Sequence, residues 1–142
     1  MPRGVYERDA YSLARRTAIA VGKQARGVPG VAAQRSLYRA YQSNSKRRGH
    51  VWELSFEKFV SLCQSPCRYC GAAPQQSRVA RSRIPGRTNG EFVYNGIDRQ
   101  YNDEGYTLVN SVPCCRACNY AKSNRDFLEW MAWIDQVAIH NA

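Results

Sequence analysis

Apolar side chains recur along this chain at helical spacing near both ends and at strand spacing in the middle. In residues 8–26, Tyr11, Ala14, Ala18 and Val21 stand at roughly helical intervals among arginines, and Gly27, Pro29 and Gly30 interrupt them. A second helix is predicted from about Ala32 to Arg47, with Leu37, Ala40 and Tyr41 on one face, until Arg48-Gly49 ends it. Ser55 then caps a helix whose Phe56, Phe59, Val60 and Cys63 lie at i, i+3, i+4 and i+7, which makes Cys63 a core residue; Pro66 stops it. Between Gly71 and Gly90 the sequence is rich in Gln, Pro and Arg and nearly lacks large apolar side chains, and it reads as a surface loop. Strands are predicted at Phe92 to Tyr94, at Gly96 to Arg99 and near Thr107 to Val112, with Asn102-Asp103-Glu104-Gly105 supplying turn chemistry. A short helix opens near Asn119. The last helix is the clearest: Ser123-Asn124-Arg125-Asp126 reads as a variant capping box ahead of Phe127, Trp130, Met131, Ile134, Val137 and Ala138. That stripe is expected to pack against the helix of residues 56–63, with Trp133 off it and exposed.

Charge divides the chain in two. Of a net +10 over 142 residues, residues 1–50 hold eleven Lys or Arg against Glu7 and Asp9, whereas residues 51–142 hold ten against nine. The expected organisation is therefore a basic, mostly helical N-terminal arm (1–50) and a nearly neutral body (51–142). One-sided positive charge concentrates a polyanion by steering and counterion release, which points to nucleic acid. The arm's candidates for phosphate contacts are Arg15, Arg16, Arg35, Arg39, Lys46, Arg47 and Arg48. No apolar run reaches the length of a membrane span, and Met1-Pro2-Arg3-Gly4 does not start a signal peptide, so an intracellular protein without membrane partners is expected.

In such a chain, paired cysteines indicate a metal rather than disulfides. Cys67-Arg68-Tyr69-Cys70 and Cys115-Arg116-Ala117-Cys118 form two Cys-x-x-Cys knuckles with 44 residues between them. Each presents two thiolates to one side of a tight turn, and together they complete a four-sulfur zinc site. The segment they bracket carries Gly96-Ile97-Asp98-Arg99 and Asn110, an acid, an arginine and spaced asparagines of the kind a reaction site uses.

From Leu37 to Ile134 the sequence resembles the HNH endonucleases in their zinc-knuckled phage and bacterial form. The residues that carry the resemblance are Cys67-Arg68-Tyr69-Cys70-Gly71, Asn95-Gly96-Ile97-Asp98-Arg99, Gly105-Tyr106-Thr107 with Asn110, and Pro113-Cys114-Cys115-Arg116-Ala117-Cys118-Asn119 with Lys122. The resemblance implies an α+β fold: a small ββα-metal domain stapled by the four-cysteine zinc site, with flanking helices. It also selects Cys115 over Cys114 as ligand and leaves Cys114 in the core. It further implies a second metal, Mg²⁺ or Mn²⁺, held by Asp98 and Asn119 at the scissile phosphate, with Asn110 bracing the catalytic loop and Lys122 among the nucleic-acid contacts. The substrate implied is double-stranded DNA, in the cytoplasm of a bacterial or phage-infected cell.

Arg99 departs from the family pattern, in which a histidine at this position takes a proton from the attacking water. A guanidinium stays protonated and cannot act as that base, but it can clamp the phosphate with its fork. The base is then Asp103, His50, Tyr94, Tyr101, Tyr106 or a metal-bound hydroxide. Three functions follow: a metal-dependent DNA endonuclease, a catalytically inactive zinc module that binds nucleic acid, or an adaptor using the aromatic last helix.

Overall fold

A computed structural model describes residues 30–142. The first predicted helix, and with it Arg15 and Arg16, lies outside the described residues. Helix α1 (Val31–Arg47) runs as predicted, but it is not an appendage. Ala33 and Leu37 are buried, and Tyr38 and Tyr41 pack against the same core as Phe59, Cys63, Phe92 and Ile97, so the residues after 30 fold with the body. Helix α2 (Phe56–Cys63) has the predicted cap, with the Ser55 hydroxyl accepting the Lys58 N–H at 3.1 Å. Its Phe59 and Cys63 are fully buried. Around Phe59 the rings of Tyr38, Tyr41 and Trp52 meet at centroid distances of 5.3 to 6.0 Å, and the two tyrosines meet it edge-on, which adds specific attraction to area burial.

Two small antiparallel sheets follow. Strands β1 (Gln76–Arg81) and β2 (Thr88–Tyr94) form a hairpin in which Gln76 faces Tyr94 and Arg81 faces Thr88. The surface loop expected over residues 71–90 is corrected here: much of it is strand. Ala80 and Phe92 turn inward to α1, while Ser77, Val79, Glu91 and Val93 turn outward. The Arg78 guanidinium donates to the Ser36 hydroxyl at 2.9 Å and ties the hairpin to the helix.

Strand β3 (Gly96–Arg99) is where predicted and pairs with β4 (Ser111–Cys114), Asp98 facing Val112. The strand expected near 107–112 begins later, because residues 107–110 form a turn that leaves Val109 exposed. Helix α3 (Arg116–Lys122) completes a ββα unit with β3 and β4. Gly96 has no room for a side chain, since a Cβ there would lie 2.8 Å from the Tyr41 hydroxyl oxygen, which accepts the Ile97 N–H at 3.1 Å. This contact fixes β3 against α1.

Helix α4 (Phe127–His140) is capped by Asp126, whose carboxylate accepts the Leu128 N–H at 3.1 Å; Ser123, the expected cap, ends α3 instead at φ 49°. Its predicted packing on α2 is also replaced. Trp130 is buried edge-on to Tyr69 of the first knuckle, and Phe127 lies against Tyr101, while Val137 and Ala138 are exposed. Trp133 is exposed as expected, stacked on Trp130 and covered by the Arg125 guanidinium at 4.9 Å.

Candidate functional site

Two Cys-x-x-Cys turns bring four sulfurs together. In the first, the Gly71 N–H bonds to the Cys67 carbonyl at 2.9 Å with Gly71 at φ +75°, a conformation that favours glycine. In the second, Cys115 caps α3, its sulfur accepting the Cys118 N–H at 3.4 Å. The ligand atoms of Cys67, Cys70, Cys115 and Cys118 all lie within 4.8 Å of one another, and those of Cys70 and Cys115 are 3.6 Å apart. Four sulfurs tetrahedral about a zinc ion, each about 2.3 Å away, stand about 3.8 Å from each other. The donor set therefore fits a metal ion. Burial raises the Cys67 thiol, but backbone N–H groups of Cys115, Cys70 and Tyr69 outweigh it and bring the group down to about 7, favouring the thiolate a metal needs. Among the neighbouring thiols Cys118 is raised, chiefly by burial, and Cys70 is raised as well; in the core, burial pushes Cys63 up to about 12 and raises Cys114, so these two stay neutral.

The knuckles position the ββα unit. The Arg68 N–H bonds to the Pro113 carbonyl of β4 at 2.8 Å, and the Asn95 amide donates to the Ser65 and Ala72 carbonyls at 2.9 and 3.0 Å, locking the first knuckle to the end of α2 and the start of β3. Asn95 is buried, and its role goes beyond anything its place in the motif showed.

Strand alternation sends Ile97 into the core and turns the Asp98 carboxylate toward the knuckle and α3. There it accepts the Tyr69 hydroxyl at 2.7 Å and the Lys122 ammonium at 3.1 Å, both at Oδ2. Lys122 was expected at the nucleic acid; this is corrected, because its side chain is completely buried and has no surface to offer a phosphate. Its nitrogen also donates to the Arg99 carbonyl at 2.9 Å and the Asn102 amide oxygen at 3.3 Å. A buried cation is stable only with such partners. Tyr69 is a further site residue the sequence did not mark, visible there only as a knuckle position.

Arg99 leaves the strand toward the loop of residues 101–106. Its Nη1 donates to the carbonyls of Asn102 at 2.7 Å and Glu104 at 3.0 Å and lies 3.4 Å from His50 Nδ1. The two carbonyls take both Nη1 hydrogens, so the longer approach to Nδ1 does not fix the tautomer of the ring. His50 is held in turn by Ser45, whose carbonyl accepts the His50 N–H and whose hydroxyl donates to the His50 carbonyl, each at 2.9 Å. Desolvation, with Arg99 and Arg48 adding to it, lowers the His50 pKa and keeps the ring neutral. Asn110, buried, ties the loop closed: its oxygen accepts the Tyr101 N–H at 2.9 Å and its amide donates to the Tyr101 and Gly105 carbonyls at 3.1 and 2.9 Å.

Asp98, Arg99 and Asn119 line one cavity of 340 Å³ together with Arg48, Asn44, Asn102, Tyr41 and Tyr106. Asn119 is exposed on the second turn of α3. Of the candidate bases, Tyr106 lines this cavity but burial raises its pKa, Tyr94 lines a different cavity beside Cys70, and Tyr101 packs against Phe127. Asp103 is exposed and, like the half-buried His50, outside the lining. The Asp98 carboxylate and Asn119 amide are hard oxygen donors of the type Mg²⁺ or Mn²⁺ takes, and the cavity has room for water and phosphate beside them. Of the surface cations, Arg39, Lys46 and Arg47 are exposed on α1, and Arg35 sits over the Phe56 ring at 4.5 Å.

Comparison with known proteins places this geometry. The solved structure of the rare-cutting HNH restriction endonuclease PacI superposes with a TM-score of 0.53 over 75% of this chain and 78% of that one, at 20% identity. The chain therefore has the HNH endonuclease fold, an α+β arrangement with a four-cysteine cluster able to bind a metal. In sequence it is 19% identical over 91 residues to a putative HNH endonuclease of the SPbeta prophage of Bacillus subtilis, and 31% identical over 87 residues to an uncharacterised protein of Acanthamoeba polyphaga mimivirus. The first match spans 63% of this chain and the second 61%, but they span only 36% and 14% of those relatives. No family model matches the chain. Among the described residues, no helix is long and apolar enough to cross a membrane.

Proposed function

We propose that the chain is a metal-dependent endonuclease that hydrolyses phosphodiester bonds in double-stranded DNA, with a structural zinc at the four cysteines. The observation that carries this reading is the convergence of Asp98, Arg99, Arg48 and Asn119 on one cavity within an HNH endonuclease fold. Asp98 and Asn119 would hold Mg²⁺ or Mn²⁺, which supplies charge stabilisation at the phosphoryl oxygen and the leaving 3′-oxygen. The Arg99 guanidinium, fixed through Nη1 by two carbonyls, turns the rest of its fork to the phosphate. His50, a neutral imidazole beside Arg99 though outside the cavity lining, would take the proton of the attacking water through a ring nitrogen left free of Arg99, and its loop is pinned to α1. Asn110 keeps the loop that carries these carbonyls in place.

Plasmid cleavage with Mg²⁺ or Mn²⁺, run beside Asp98→Ala, tests the reading. Cleavage by the native chain and none by the variant is expected. No cleavage by the native chain with either ion, together with DNA binding that Asp98→Ala leaves unchanged, would establish the inactive binding module instead.

A further inference from the structure

The β1–β2 hairpin is packed at its base and free at its tip. Ala80 and Phe92 turn in to α1, and Arg78 is tied to Ser36. Beyond a register shift between Val79 and Arg81 the side chains leave the core, and Arg83, Ile84, Pro85, Gly86 and Arg87 are all exposed. The tip nevertheless holds one shape. The Arg87 N–H bonds to the Ile84 carbonyl at 3.2 Å across Pro85-Gly86, with Gly86 at φ +74°, the proline and glycine places of a type II turn. The Ser82 hydroxyl accepts the Ile84 N–H at 3.1 Å, and the Asn89 amide donates to the Arg81 carbonyl at 3.0 Å. A tip held this firmly, whose side chains meet no core among the described residues, is ordered in advance for a partner.

Charge and shape identify that partner. The stretch from Lys58 to Gly90 has no acid, and Glu91, the first to follow, accepts the Ser77 hydroxyl at the base of the hairpin. Between the guanidiniums of Arg83 and Arg87 stands Ile84, with 54% of its surface exposed. Phosphates alone have no use for an isoleucine, and an apolar protein surface has none for two unpaired guanidiniums. The major groove of DNA offers both, phosphates along its walls and thymine methyls on its floor. Two antiparallel strands lie about 5 Å apart and carry side chains beyond that, so such a ribbon enters the major groove, about 12 Å wide, and not the minor groove at about 6 Å. We infer that the hairpin tip enters the major groove with Arg83 and Arg87 on its phosphate walls and Ile84 against a thymine methyl, which makes Ile84 a sequence-reading residue. The inference rests on the DNA reading above and adds how a site is chosen. The seven residues of β2 carry the tip about 20 Å from Asn95, where β3 and the cavity begin, so the thymine lies several base pairs from the bond at the cavity.

Replacing thymine by uracil tests this, because uracil pairs alike and lacks only the methyl that thymine shows in the major groove. A duplex is selected from a random pool by the zinc-loaded full chain and then made once with thymine and once with uracil. The native chain is expected to bind the uracil duplex at least about fourfold more weakly, the worth of one buried methyl group. Ile84→Ala is expected to lose about that factor of the preference for thymine, by weaker binding to the thymine duplex, while the salt dependence holds because no charge has changed. Ile84 is exposed, so the variant keeps its fold, which circular dichroism checks. Equal binding of the two duplexes by the native chain overturns the inference, as does an Ile84→Ala variant that keeps the full native preference. So does a selection that yields no common sequence or one without thymine. Each of these leaves the nuclease reading to the plasmid assay, whereas absence of any duplex binding together with absence of cleavage overturns both.

Discussion

At the scale of residues, the site turns on Arg99 and the imidazole beside it. In the proposed reaction a guanidinium next to a neutral histidine would divide between two groups charge stabilisation at the phosphate and acceptance of a proton. Arg99→Ala is expected to cut cleavage by about 10²- to 10³-fold, the usual cost of one transition-state donor, while zinc content and melting temperature hold. Removing that positive charge also raises the His50 pKa toward its ordinary value, because desolvation remains but one of the two repelling guanidiniums has gone. In the native chain His50 therefore titrates below about 6.5, and the acid limb of cleavage lies lower than for a free imidazole. Proton NMR checks the order directly, since the chain has only His50 and His140 to assign. A His50 pKa that Arg99→Ala leaves in place would remove the electrostatic link between them. Arg99→His should recover part of the lost activity with a turn near pH 6.5 or so.

At the scale of elements, the knuckles decide the rest, because β3, β4 and α3 have little core of their own. The sulfurs join the end of α2 to the start of α3, and Trp130 of α4 closes on Tyr69 between two of them. Metal binding of this kind supplies on the order of 10 to 16 kcal/mol of apparent free energy, comparable to the stability of a whole domain. Cys70→Ser, or a strong chelator, is expected to release one zinc per chain and unfold the body, read by metal analysis and circular dichroism. Stoichiometric zinc and an unchanged melting temperature in Cys70→Ser would show the site misassigned. These elements also show what the sequence made legible. Strong apolar periodicity or fixed spacing placed α1, α2, β3 and the cysteines. Apart from Phe92 to Tyr94, the β1–β2 hairpin escaped because its inward positions include the polar Gln76 and Arg78 while Val79 faces outward, which hides the strand period. The direction of α4 escaped because amphipathic spacing tells which face is apolar and not what it meets. Lys122 was misread because nothing local separates a surface lysine from one whose partners come from β3 and the following loop.

At the scale of the whole molecule, charge is the feature folding leaves unspent. Residues 30–142 hold fifteen Lys or Arg against nine Asp or Glu, and among the described residues the one ion pair is Lys122 with Asp98. From Lys58 to Gly90 there is no acid at all, so the hairpin carries Arg78, Arg81, Arg83 and Arg87 without a compensating carboxylate in that stretch. Residues 1–28 add Arg3, Arg8, Arg15, Arg16, Lys23 and Arg26 against Glu7 and Asp9. Both segments suit a polyanion, and they can be told apart. Each phosphate contact contributes close to one unit to the slope of log affinity against log salt. Deleting residues 1–28, which spares Gly30 where it seats α1 against the Glu91 carbonyl, is expected to lower that slope by several units and weaken DNA binding. Arg83→Ala with Arg87→Ala is expected to lower it by about two. Filter binding over a range of salt concentrations reads both. A slope that the deletion leaves unchanged and the hairpin variant reduces would move the DNA surface off the N-terminal segment and onto the hairpin.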